Sequence, residues 1–137
     1  MADLYNTMAV SASGMKAQGT RLRVIAENLA NANTTAETPG DLPYRRKTVT
    51  FANELDRQLG VDTVRVAKIG VDKSDFQRRY DPSHPSADAD GYVLLPNVNT
   101  VVESMDMREA QRSYEANLSV IESARQMLSR TIDILRT

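Results

Sequence analysis

The sequence predicts a mainly α chain with a small β-rich insert, whose long N- and C-terminal helices pair as an antiparallel coiled coil. Three observations predict this class. After Pro96 there is no Gly or Pro, so nothing interrupts a helix between Asn97 and Thr137. Within it Met107, Tyr114, Ile121, Leu128 and Leu135 recur every seven residues, with Ala110, Leu118, Ala124 and Ile132 half-way between them. Near the other end Met8, Met15, Leu22 and Leu29 keep the same interval, with Leu4, Ile25 and Ala32 in alternate positions. The expected division is 1–35 for the N-terminal helix, 36–96 for the insert and 97–137 for the C-terminal helix.

The first helix is expected from Asp3 to Asn33. Ser11-Ala12-Ser13-Gly14 and Ala17 make it thin, Gly14 and Gly19 each cost about 1 kcal/mol relative to Ala, and Ser11 and Gln18 weaken the alternate line. Asn28, Asn31 and Asn33 shape its exit, because Asn competes for backbone hydrogen bonds and tolerates the left-handed conformation. Residues 36–43, with Pro39-Gly40-Asp41 inside, are a loop. The stretch from Tyr44 to Pro96 changes period. Strands are expected toward Thr48-Val49-Thr50-Phe51, from Val64 to Val71 with a bulge near Ala67, from Phe76 to Tyr80 and from Tyr92 to Leu95. The last two are joined by a loop ending in an Asp90-Gly91 hairpin signal. The C-terminal helix opens on Thr100-Val101-Val102-Glu103, a capping-box spacing, with Val98, Val101, Val102 and Met105 extending its apolar face. Glu109/Arg112, Glu122/Arg125 and Asp133/Arg136 are acid-first pairs on its wet face.

Energetics turn this layout towards assembly. Ordering a residue costs about 1.5 kcal/mol, while burying a Leu or Ile returns roughly 1.5–3 kcal/mol. Two seams rich in Ala, Met and Val do not clearly offset two ordered helices, so the pair is expected to be marginal alone and stable when other copies cover it.

The 137 residues favour one domain, or one small domain with appendages, and the net charge of −1 gives no drive towards nucleic acid or anionic membrane. The absence of Cys excludes a disulfide framework and a thiolate metal site. No hydrophobic run reaches membrane-span length, and the first twenty residues carry no signal-peptide core. Ser86, Asp88 and Asp90-Gly91 have half the spacing of a calcium loop, but Asn97 stands where a bidentate Glu is needed, so a hairpin turn is preferred. His84, the one histidine, has no partner for zinc or nucleophilic chemistry and is read as a solvent-facing loop residue. Arg45-Arg46-Lys47 and Arg78-Arg79 are read as a polar rim for a protein partner, not a nucleic-acid patch, because aromatics are scarce. No catalytic residue, cofactor site, metal site or small-molecule substrate is expected.

Three runs carry a family resemblance. The run from Ser11-Ala12-Ser13-Gly14-Met15 through Arg21-Leu22 to Glu27-Asn28-Leu29-Ala30-Asn31-Ala32-Asn33 resembles the N-terminal signature of bacterial flagellar rod, hook and hook-associated axial proteins. Asn97-Val98-Asn99, Met105, Met107 and Glu109-Ala110 through Arg112-Ser113-Tyr114-Glu115-Ala116-Asn117 are similar to its C-terminal half. Pro43 to Lys47 and Asp81 to Val93, with the short insert, most resemble the proximal rod members. The resemblance implies a structural subunit of the flagellar basal body that polymerises through its terminal helices into the shaft carrying motor torque to the hook. It also implies a periplasmic location reached through the flagellar type III export apparatus without a cleaved signal, with copies of itself and other rod proteins as partners. The expected assembly interface is Met8, Met15, Leu22, Ile25, Asn28, Leu29, Asn31, Met107, Tyr114, Leu118, Ile121, Leu128, Ile132 and Leu135. Heptads alone also permit a cytosolic helical adaptor that docks one partner.

Overall fold

In the computed structural model, which describes residues 1–137, helix α1 spans Ala2–Ala30 and α2 spans Thr100–Arg136. Between them lie strands β1 (Lys47–Asp56), β2 (Val61–Val71), β3 (Gln77–Tyr80) and β4 (Tyr92–Leu95). β1 pairs with β2, and β3 pairs with β4, as two separate two-stranded sheets. The β3–β4 pair is antiparallel, in register from Gln77 opposite Leu95 to Tyr80 opposite Tyr92.

The chain divides into two compact units. The first contains Met1–Leu22, Thr50–Lys68 and Arg108–Thr137; the second contains Arg23–Val49 and Ile69–Met107. In the first unit the helices approach closely. Arg21 Nη2 lies 3.7 Å from Glu109 Oε2. A methyl group on Gly14 would lie 2.8 Å from Asn117 Nδ2, so only glycine lets that amide sit where it does. In the second unit Val24, Ile25, Val93, Pro96 and Val98 are buried around an interior that also contains Asn28 and Glu103.

The structure corrects the expected fold class. Helix makes up 48% of the chain and strand about 21%, the strands all lying between the two helices but divided into two separate two-stranded sheets. β1 and β2 are 10 and 11 residues long, and β1 runs five residues past Phe51, the end expected from the sequence. The coiled-coil pairing of the helices is not borne out either. Knobs-into-holes packing needs large apolar side chains on both heptad lines. On α2 the half-way line that turns inward is Glu103, Ala110, Asn117, Ala124 and Thr131. Leu118, Ile132 and Leu135 are instead 39%, 45% and 76% exposed. Upstream, Val98 is buried but Val101, Val102 and Met105 are exposed.

Local signals were rewritten in the same way. Asn99, not Thr100, caps α2: its Oδ1 accepts from the N–H groups of Val101 (3.1 Å) and Val102 (3.2 Å). Glu103 is therefore free to turn inward. The exit from α1 uses no left-handed Asn, since glycines alone have positive φ. Asn31 Nδ2 instead donates back to Glu27 O at 2.8 Å, and Thr34 N closes a turn on Asn31 O at 3.1 Å. Pro39-Gly40 forms the expected tight turn, with Gly40 at φ 91° and Asp41 N donating to Thr38 O. Gly91, at φ 85°, closes the loop before β4 and sits against the Tyr80 ring and Pro82.

Candidate functional site

The densest polar arrangement lies inside the second unit, around the amide of Asn28. This residue stands on the last turn of α1, on the face that also buries Val24 and Ile25, and is 1% exposed. A buried amide must satisfy two donors and two acceptor positions. Asn28 satisfies all four. Its Oδ1 accepts from Tyr44 Oη (2.8 Å) and Lys47 N (2.9 Å), and its Nδ2 donates to Lys47 O (2.9 Å) and Glu103 Oε2 (3.3 Å). One side chain thus ties the end of α1 to the start of β1 and to the first turn of α2.

Glu103, also 1% exposed, is the charge at the centre. Burying a carboxylate is tolerated only where it is paired and hydrogen-bonded. Arg46 Nε donates to its Oε1, and the same guanidinium reaches Asp72 Oδ2 at 3.4 Å and Asp106 Oδ2 at 3.9 Å. Burial works against the Arg46 charge, but the hydrogen bond and charge of Glu103, with Asp72 behind them, raise its pKa above the ordinary arginine value. Asn97 adds a second amide clamp. Its Oδ1 accepts from Arg46 N (2.8 Å), while its Nδ2 donates to Asp72 O (2.9 Å) and Ser74 Oγ (3.1 Å).

The rim is ionic. Lys47 Nζ lies 2.9 Å from Glu27 Oε2; that contact lowers the Glu27 pKa and raises that of Lys47. Hydrogen bonds from Ser74 hold Asp72 below the usual carboxylate range, and burial raises the Tyr44 phenol. Arg45 donates to Asp72 O and Ser74 O, with its guanidinium 4.2 Å over the Phe76 ring. The Arg45-Arg46-Lys47 cluster read as an outer rim is therefore largely spent inside the unit. These groups hold one another, and the arrangement is a joint between three segments of the unit.

The loop before β4 is equally self-contained. Asp88 Oδ1 accepts from Asp90 N (3.0 Å) and Tyr92 N (2.9 Å), and these backbone bonds lower its pKa. The His84 ring is not simply solvent-facing: Nδ1 accepts from Ser86 N at 3.0 Å, and Nε2 lies 3.3 Å from Thr35 Oγ1.

The residues expected to form an assembly interface fall in three settings. Asn28 and Ile25 are buried in the second unit. Met8, Met15, Leu22, Leu29, Asn31, Met107, Tyr114, Ile121 and Leu128 are half-buried, and Leu118, Ile132 and Leu135 are exposed. Tyr44, Arg46, Asn97 and Glu103 were not singled out together from sequence. The available signal was a Glu on the inward line of α2, seven residues before Ala110, which needs a cationic partner.

Comparison with known proteins bears on both helices. A family model described as flagella basal body rod protein matches residues 8–36, and one described as flagellar basal body rod FlgEFG protein C-terminal matches residues 89–134. These two segments contain Asn28, Asn97 and Glu103. A flagellar basal-body rod protein FlgC of Agrobacterium fabrum is 54% identical over 127 residues, covering 93% of this chain and 91% of the relative. Relatives of the same name from Bacillus subtilis and Salmonella typhimurium are 38% and 36% identical, covering 95% and 96% of this chain and 97% of each relative. The chain belongs to the FlgC family of flagellar basal-body rod proteins.

Proposed function

We propose that the chain polymerises with copies of itself and other rod proteins into the proximal part of the flagellar rod, the shaft that transmits motor torque to the hook. It is a structural subunit of the basal-body rod, and the match to FlgC proteins over nearly its whole length carries that conclusion. The reading assigns it no catalytic activity and no cofactor. Its place is the periplasmic rod, reached through the flagellar type III export apparatus without a cleaved signal. No helix is long and apolar enough to cross a membrane.

Assembly through the two long helices is supported by what they leave uncovered. Leu118, Val120, Met127, Ile132, Ile134 and Leu135 are exposed on α2, an apolar surface that calls for a partner. The half-buried Met8, Met15, Leu22, Leu29, Met107, Tyr114, Ile121 and Leu128 complete the proposed contacts. Leu118→Asp tests this on an exposed position. The isolated subunit should unfold within about 0.5 kcal/mol of the parent, while cells carrying the variant stop swimming. Normal swimming would remove the α2 surface from the interface.

A further inference from the structure

We propose that the first unit holds an acceptor groove, between α1 and the free edge of β2, that takes the acidic loop 36–42 of a second copy. Because β2 has one ladder neighbour, β1, its other edge is open. Val64 presents its N–H at that edge, and the group it meets is a side chain: Ser13 Oγ, 3.2 Å away. Ser13 commits its own proton to Val10 O at 2.7 Å, so its oxygen is held as an acceptor in the place where a further strand would offer a carbonyl. By the alternation of an extended strand, the N–H of Val66, two residues on, turns to the same side. It lines a cavity of about 330 Å³ with Ala17 and Val64 on the apolar side and Lys16, Thr20 and Arg65 on the polar side.

The occupant follows from charge and shape. The first unit has ten Lys and Arg against eight Asp and Glu; the second has seven against ten. Opposite signs favour contact between the first unit of one copy and the second unit of another, which is a heterologous and hence extendable contact. In the groove itself, Glu54 lies 3.9 Å from Arg65, which leaves Lys16 as the unbalanced cation. In the second unit, residues 36–42 belong to no helix or strand and carry Glu37, Asp41 and Leu42, the last 66% exposed. A carbonyl of this loop would accept from Val66 N–H, Leu42 would cover the apolar floor, and a carboxylate would meet Lys16. This rests on the reading that copies of the chain polymerise.

Because the chain has no cysteine, a single-cysteine pair gives a clean test. Thr20→Cys copies are mixed with Ala36→Cys copies of the full chain and joined with a short bismaleimide. The expected product is a mixed dimer, formed well above the yield of either variant alone. Val66→Pro, which removes the outward N–H and is tolerated at a strand edge, should lower that yield at least tenfold, as should Lys16→Glu. A mixed dimer undiminished by both changes, or copies that self-associate and give no mixed dimer, would overturn the proposal. Copies that do not self-associate would overturn it too, leaving rod membership to be judged by motility.

Discussion

Replacing Asn28 by Ala removes an amide whose four hydrogen bonds join three segments of the second unit. Lys47 N–H and Tyr44 O–H lose an acceptor, and Lys47 C=O and Glu103 lose a donor. A buried group left unpaired costs about 1–3 kcal/mol. Tyr44 and Lys47 are half-buried and recover some hydration, while Glu103 keeps Arg46. The full cost therefore falls on about two groups, and we expect a loss of about 3 kcal/mol. Against a total stability of about 5–15 kcal/mol this is large, and for a chain of this length it lowers Tm by about 10 °C. Urea unfolding followed by circular dichroism reads it as a lower midpoint with an unchanged slope. Asn28→Asp separates the hydrogen bonds from the packing. It keeps the shape but turns the donor nitrogen into an acceptor facing Lys47 O and the Glu103 carboxylate. At pH 7 it should cost more than Ala. Its carboxyl, raised above the unfolded Asp value of about 3.9, should regain part of the loss as the pH falls and it protonates into a donor. A loss below about 1 kcal/mol for Ala, or an Asp variant no worse than Ala at pH 7, would refute the hub as a joint.

Three further outcomes follow from single contacts. Gly19 has open space where a Cβ would sit, so Gly19→Ala should stabilise by about 1 kcal/mol in urea unfolding; Gly14→Ala should gain less, because its Cβ must displace the Asn117 amide. Arg46→Lys replaces a fork that reaches three carboxylates with a point charge, and should cost about 2 kcal/mol by the same measurement. Glu27, Asp72 and Asp88 have folded pKa values below the ordinary ones. The stability they add is present above the unfolded values of about 4 and is lost as the pH falls through the folded ones, so urea midpoints should decline from about pH 4 downwards, and a flat acid limb would contradict these pairings.

How much was legible in the sequence depended on the range of the interaction. The uninterrupted run after Pro96 marked α2, and Asp90-Gly91 before Tyr92 marked the β3–β4 turn, because helix continuity and turn chemistry are decided within a few residues. Glu103 was misassigned for the converse reason. Its spacing from Thr100 fits a capping box, yet its partners Asn28 and Arg46 lie 75 and 57 residues away, and Asn99 supplies the cap. The half-way heptad line diverges similarly: Ala110 and Ala124 turn inward as the spacing predicts, but Asn117 and Thr131 take the inner face one residue before Leu118 and Ile132. A one-residue choice rotates a helical position by about 100°, and a Gly opposite an Asn gives no apolar signal to fix that choice.

Rod membership is tested most directly by purifying basal bodies from cells whose copy of this gene carries an epitope tag, and from a deletion strain. The account predicts non-swimming deletion cells, restored by the tagged chain, and tagged chain recovered in the rod fraction. Swimming cells without the chain, or tagged protein confined to a small discrete complex outside the basal body, would contradict it.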